Sequence, residues 1–434
     1  MTVTAFVLLL IDSKAQQAVA PVSSISRAVI DSTCSVIIRN YVYPEKARAI
    51  SDHIRQKLKN GAYDTMADSR RLAAVITSDI RAVQPDKHLA VRFDPELENR
   101  IRAFVATFQK DKAELEQERK QNFFFRKVEI LKGNIGYIVF TGFADTNELS
   151  RSTVRAAMQF VAHTEALILD LRNNFGGRPE MAKELAAYFF SRPQLSGKSF
   201  NRINNAWTEE WIGDRPDVTQ GLYLPMPLYI LTSERTFSAA EGLAYNLQIL
   251  KNAVVVGDTT RGGAHTTRSF ALGNGFVAFV PFTRGENVLT KTDWEGTGIV
   301  PNITISEDSS LLKAQELILE HRLRMAKDER EKRKLQWLIN DLKTQMLNLI
   351  VPEEIMKQYT GSFEEFFFQV ENGQLFCTNT HQRNKKNVLS AITETLFKID
   401  NESQVEFVRD KNGAVNSIRI LWNDGWVDTI NRSR

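Results

Sequence analysis

Between Val128 and Ile305, short apolar runs alternate with helix-length stretches, and this alternation restricts the chain to an α/β core. Val128–Leu131, Ile135–Phe140, Ala166–Leu171, Leu228–Leu231, Ala253–Gly257 and Gly275–Val280 read as strands. Leu149–His163, Pro179–Phe190 and Ser238–Leu250 read as the helices among them. Strands separated by helices of this length need crossover connections.

The flanks have other periods. From residue 24 to about 84, Ile25, Val29, Ile30, Val36, Ile50, Ile54, Leu72, Ile76 and Ile80 recur at helical spacing, which predicts a small bundle. Residues 109–120 are almost wholly charged and read as a solvated helix or linker. Residues 308–349 are helical again, with one polar side, and Pro352 ends them. Beyond lie Asn372-Gly373, Asn412-Gly413 and Asp424-Gly425, each a hairpin signal. The expected organisation is a helical bundle over 21–92, a charged connector over 93–127, the α/β core over 128–306, a helical segment over 307–351 and a small all-β domain over 352–434.

A chain of 434 residues with 43% hydrophobic and 25% charged content has the composition of a soluble globular protein. Its net charge of +4 is too weak to imply nucleic acid, and no basic cluster is interleaved with aromatics. Two distant cysteines, Cys34 and Cys377, offer no metal-ligand spacing and read as buried thiols; no metal or cofactor is implied. Residues 1–20 combine the apolar run Ala5–Ile11 with Ala18-Val19-Ala20 before Pro21, which fits a cleaved export signal without its usual basic start. The run is too short to span a bilayer, so no integral membrane segment is expected, and the location expected is periplasmic or extracellular.

The segment Y-I-L-T-S-E-R-T-F-S-A-A-E, Tyr229–Glu241, carries the chemistry. An apolar strand ends in polar turn residues, and a small-residue helix begins at Ser238. A hydroxyl at such a corner can face a substrate while the N–H of Ala239 points toward a developing oxyanion. A nucleophilic serine also needs a base and a group to orient it. Of six histidines, His53, His163 and His321 lie on predicted helices and His381 lies in the β tail, where surface roles fit. His88, in D-K-H-L, and His265, in G-G-A-H-T, both sit in turns beside strands, and the residues alone leave both open as the base. Gly176 and Gly177 end a strand and open a helix, where backbone can approach a bound group closely. Glu295 lies in the Gly-punctuated loop W-E-G-T-G.

Together, L-I-L-D-L-R-N-N-F-G-G, T-F-S-A-A-E with G-D-T-T-R-G-G-A-H, D-K-H-L-A-V and W-E-G-T-G-I-V-P-N resemble the C-terminal processing and tricorn-type serine peptidases. The branch they resemble is the one related to the interphotoreceptor retinoid-binding protein, and the likeness covers roughly residues 25–305. It implies a crotonase-like catalytic core. In the processing branch a lysine lies twenty-five residues after the serine; here that position is Gly263, so no Ser–Lys pair exists. In the tricorn branch an upstream histidine is the base and a late glutamate completes the relay, which implies His88 as base and Glu295 as the orienting carboxylate. The tricorn serine before the histidine is Lys87 here, so a four-residue relay is not supported. Ser238 is the implied nucleophile, and Gly176 or Gly177 with Ala239 the implied oxyanion donors. The Tyr359–Phe363 region resembles a small β domain appended to secreted hydrolases.

The expectation is a serine-type peptidase acting on peptide or protein substrates, on unstructured or C-terminal segments, through an acyl-enzyme. The alternative is a non-catalytic binding protein for an apolar ligand on the same scaffold.

Overall fold

The structure, a computed structural model, describes residues 22–107, 112–347, 349–380 and 385–433. The expected export signal and His381 lie outside the described residues. The chain divides into two compact units.

The first unit takes the described residues up to Thr107 together with Phe200–Trp207 and His265–Arg284. It holds the helices Val22–Asn40, Pro44–Lys59 and Ser69–Val83. Pro44 opens the second, where its missing N–H costs nothing. Asp68 caps the third, its side chain accepting from the N–H groups of Arg70 and Arg71. Ile30, Ile37, Ile54, Ile76 and Ile80 are wholly buried between these helices. The strand Ala90–Phe93 pairs antiparallel with Phe276–Pro281, Ala90 opposite Phe279, and Phe276–Pro281 pairs with Thr267–Gly273. Residues 265–284, from the stretch expected to form the α/β core, belong to this unit. Phe276, Ala278 and Val280 lie on one face of their strand and pack into the same cluster as Val29 and Ile76. That burial draws residues 265–284 to the helices.

The second unit is built on a six-stranded sheet. Its order is Ile303–Thr304, Val254–Gly257, Leu228–Thr232, Ala166–Asp170, Ile135–Phe140, Phe125–Leu131. The last pair is antiparallel and the others parallel. Ala166–Asp170 and Leu228–Thr232 are buried at every position, as central strands covered on both faces must be. Leu167, Leu169 and Ile230 pack with Val154, Leu185, Leu243 and Leu247 from the helices Glu148–Phe160, Pro179–Ala187 and Ala239–Lys251. Ile168, Tyr229 and Leu231 pack on the other side with Ile318, Leu335 and Ile339 from Glu307–Met325 and Glu329–Met346. The molecule is therefore mixed α/β, with several sheets.

The described strands from Gly361–Phe363 to Val427–Asn431 form two antiparallel sheets, one of four strands and one of five. The helix Glu329–Met346 is fastened to the second of these. Trp337 donates its Nε1–H to the carbonyl of Leu421 at 3.1 Å, and Asn340 donates to Gln404 at 3.0 Å. Asp341 takes Lys132 at 2.8 Å on one oxygen and Lys398 on the other. Burial alone would raise the Asp341 carboxyl, and the two lysines hold it below its ordinary range. Cys34 and Cys377 are both free and buried, and burial pushes the Cys377 thiol up to about 12. Among the described residues no helix is long and apolar enough to cross a membrane.

One stretch of backbone is unusual. Asn122, Phe123 and Phe124 have φ of 51°, 48° and 68°, three consecutive left-handed residues without a glycine. Left-handed backbone costs an L-residue about 1–2 kcal/mol.

Candidate active site

Ser238 follows the buried strand Leu228–Thr232 and precedes the helix Ala239–Lys251. Its φ is 58° and its ψ −122°. A non-glycine residue holds this backbone only where its surroundings impose it, and a sharp strand-to-helix turn of this kind lifts a serine hydroxyl out of the chain. Upstream, the Ser233 hydroxyl donates to the carbonyl of Arg172 and the Thr236 hydroxyl to that of Leu171. These bonds fasten the turn to the end of the neighbouring strand.

The strongest restraint is Glu241, one turn into the helix and fully buried. Its carboxylate accepts the N–H of Ser238 at 2.8 Å, of Gly262 at 2.6 Å and of Gly263 at 2.9 Å, and the hydroxyl of Thr260 at 2.5 Å. Thr260 Oγ1 itself accepts from the N–H of Ile299, so its proton is committed to Glu241. Four donors around two oxygens is the environment of an anion. Burial pushes this carboxyl up, and the four donors offset only part of that. The loop 260–263 is pressed in turn onto 296–298: a Cβ on Gly298 would meet the Thr260 carbonyl oxygen at 2.2 Å. Trp294 lies over Gly242 of the helix and donates to the carbonyl of Gly263 at 3.0 Å.

Gly176 and Gly177 come against this turn. A Cβ on Gly176 would stand 2.7 Å from the Ser238 Cβ and 3.0 Å from the Ala239 nitrogen. One on Gly177 would stand 2.2 Å from the carbonyl oxygen of Phe143. With φ of 91° and 132°, both positions require glycine. The buried side chain of Asn174 accepts the Gly176 N–H at 2.9 Å and donates to the Phe140 carbonyl. That bond commits the Gly176 N–H. Of the residues that sequence reasoning singled out, the second unit brings Ser238, Ala239 and Gly176 together, while Gly177, next in the chain, is set against Phe143.

Glu295 lies in the same unit, where one of its oxygens accepts the N–H of Ala264 at 2.6 Å. His88 and His265 lie in the first unit. His265 is buried, its Nδ1 2.8 Å from Asp86 Oδ2 and its Nε2 3.4 Å from the Tyr43 hydroxyl. The other Asp86 oxygen accepts the backbone N–H of His88 at 2.9 Å, and Tyr41 donates to the first at 3.1 Å. Burial alone would raise the Asp86 carboxyl; the bond to His265 and its charge, followed by His88, bring it below its ordinary range. His88 itself is half-buried. Sequence reasoning left Asp86 and Glu241 unflagged. Glu241 carried a signal, because Ser-x-x-Glu at a helix start is a capping pair. Asp86 carried none, since its partner lies 179 residues away.

The family model for peptidase family S41 matches residues 134–305, and the model for the N-terminal domain of that family in eukaryotic IRBP matches residues 13–132. The chain belongs to peptidase family S41 and carries the IRBP-type N-terminal domain. It is 29% identical over 171 residues to carboxyl-terminal-processing peptidase 2, chloroplastic, of Arabidopsis thaliana, which covers 39% of this chain. The matched part spans only 31% of that curated relative's length. A lipoprotein from Streptococcus agalactiae is 17% identical with a TM-score of 0.47, covering 71% of this chain and 99% of its own. The tricorn protease is 13% identical with a TM-score of 0.44, covering 69% of this chain and 37% of its own.

Proposed function

We propose that the protein is a serine-type peptidase that hydrolyses peptide bonds in unstructured or C-terminal protein segments through an acyl-enzyme. The observation that carries this reading is the backbone of Ser238, held at φ 58° and ψ −122° by a buried carboxylate at the start of a helix. The Ser238 hydroxyl attacks the peptide carbonyl carbon. His88 takes its proton and returns it to the leaving amine, and Glu295 orients His88. Water then hydrolyses the ester by the same route. Because the Gly176 N–H is committed to Asn174, the oxyanion donors are the N–H groups of Gly177 and Ala239, aided by the positive end of the helix dipole. A crotonase-like form for the core and export to the periplasm or outside the cell belong to the same proposal. The name of the Arabidopsis relative, a carboxyl-terminal-processing peptidase, supports C-terminal segments as substrates.

Ser238→Ala should abolish hydrolysis of unstructured peptides while leaving the circular dichroism unchanged. A fluorophosphonate probe should label the wild type and not the variant. Undiminished turnover by Ser238→Ala would end the proposal. Absence of labelling in the wild type, with a lipid co-purifying, would favour an apolar-ligand binder instead.

A further inference from the structure

Asp86 closes a turn on the backbone of His88. Its Oδ1 accepts the His88 N–H at 2.9 Å, in the way an aspartate side chain mimics a backbone turn. The main chain closes the same turn, where Leu89 donates to the Asp86 carbonyl at 3.3 Å. The other carboxylate oxygen, Oδ2, stands 2.8 Å from His265 Nδ1 and 3.1 Å from the Tyr41 hydroxyl. A planar carboxylate cannot turn one oxygen without turning the other, so the imidazole sets the acceptor of the His88 N–H. The imidazole is fixed in turn by Tyr43. That ring stands edge-on to it with centroids 5.5 Å apart, and its hydroxyl faces Nε2 at 3.4 Å. Neither Asp86 nor His265 has exposed side-chain surface.

Facing a carboxylate, Nδ1 of His265 carries the proton, which leaves Nε2 as an acceptor for the Tyr43 hydroxyl. His265 is thus committed on both nitrogens and sealed from solvent, whereas His88 is half-buried. We infer that His265, which the residues alone leave open as the base, is instead a positioning residue: together with Asp86 it holds the turn that presents His88. The inference rests on His88 acting as the base for Ser238. A base works only within hydrogen-bond reach of the hydroxyl, so a loosened turn slows proton transfer and leaves substrate binding unchanged.

Two polar variants of the full chain test this. His265→Asn sets an amide nitrogen where Nδ1 stands and keeps a donor for Asp86. His265→Gln sets it where Nε2 stands and leaves Asp86 without that donor. Peptide hydrolysis and fluorophosphonate labelling are followed together, with turnover expressed per labelled site. In His265→Gln, kcat should fall about 10- to 100-fold with KM within about twofold of wild type. Labelling should slow by a like factor yet reach the wild-type endpoint, and His265→Asn should recover most of both losses. A merely structural role would lower the endpoint in both variants and leave turnover per labelled site intact; that result would overturn the inference. Wild-type rates in His265→Gln would also overturn it while the peptidase reading stands. Undiminished turnover in His88→Ala would instead remove His88 as base, and a wild type that neither labels nor hydrolyses would end the peptidase reading; either takes the inference with it. Should His265→Gln fail to fold, Tyr41→Phe keeps its ring and removes the second donor to the same Asp86 oxygen. Slower labelling in that variant is then the expected result, and a wild-type rate the one that overturns the inference.

Discussion

Glu241 and Asp86 are both carboxylates almost without exposure, one in each unit, yet their environments drive them in opposite directions. Glu241 is surrounded by neutral donors, three N–H groups and a hydroxyl, and burial still leaves its carboxyl raised. Asp86 has fewer donors, but one is an imidazole able to carry charge, and its carboxyl is lowered. Hydrogen-bond dipoles replace lost hydration only in part, whereas a partner that can become cationic repays it in full. Glu241 thus holds its anion at a cost, and that cost is concentrated where the backbone of Ser238 needs a rigid brace.

Glu241→Ala should have the largest effect. It leaves four donors, three of them buried, without their acceptor, at about 1–3 kcal/mol for each buried group. Urea denaturation should show a loss of roughly 4 kcal/mol or more, since some donors will find water. Turnover should fall by about two orders of magnitude, on the scale of a lost oxyanion donor. Glu241→Gln, which keeps the shape, should recover part of both. A variant as stable as wild type would mean that Glu241 does not brace the turn.

The pH dependence of the two sites should differ in sign. Asp86 has a folded pKa below 3.8, so its contribution is fully present above that value and is lost as pH falls through the folded pKa. Glu241 has a folded pKa above 4.5, so its contribution is present below 4.5 and is lost as pH rises through the folded pKa. Urea midpoints measured across the acid range should therefore show the penalty of Asp86→Asn growing with pH and that of Glu241→Gln shrinking. Parallel curves would erase the contrast between the sites.

Tyr43→Phe should have the smallest effect. The hydroxyl stands 3.4 Å from His265 Nε2, a long bond, and its loss should cost less than about 1 kcal/mol. A larger loss would mean that Tyr43, as well as Asp86, fixes the imidazole.

The corner at Ser238 was legible because local signals agree there: an apolar run, turn residues, then small helix formers. The buried strands Ala166–Asp170 and Leu228–Thr232 were legible for the same reason, since complete burial leaves a continuous apolar run. What escaped depends on distance along the chain. Asp86 looks like any turn aspartate until His265 arrives, and Phe276–Pro281 looks like another core strand until its register against Ala90–Phe93 is known. Asn122–Phe124 carries no local sign of a left-handed turn, because two phenylalanines are among the residues least suited to one.

Asp341 has a consequence for anyone trimming this protein. Its two oxygens bind a lysine from the hairpin of the main sheet and a lysine from the C-terminal strands. A chain ended near residue 350 would strip away Lys398, Gln404 and Leu421 together, uncovering on one helix an indole, an amide and a carboxylate that has lost one of its two lysines. The C-terminal strands behave as the lid of that helix, and removing them would trade a smaller protein for an adhesive one.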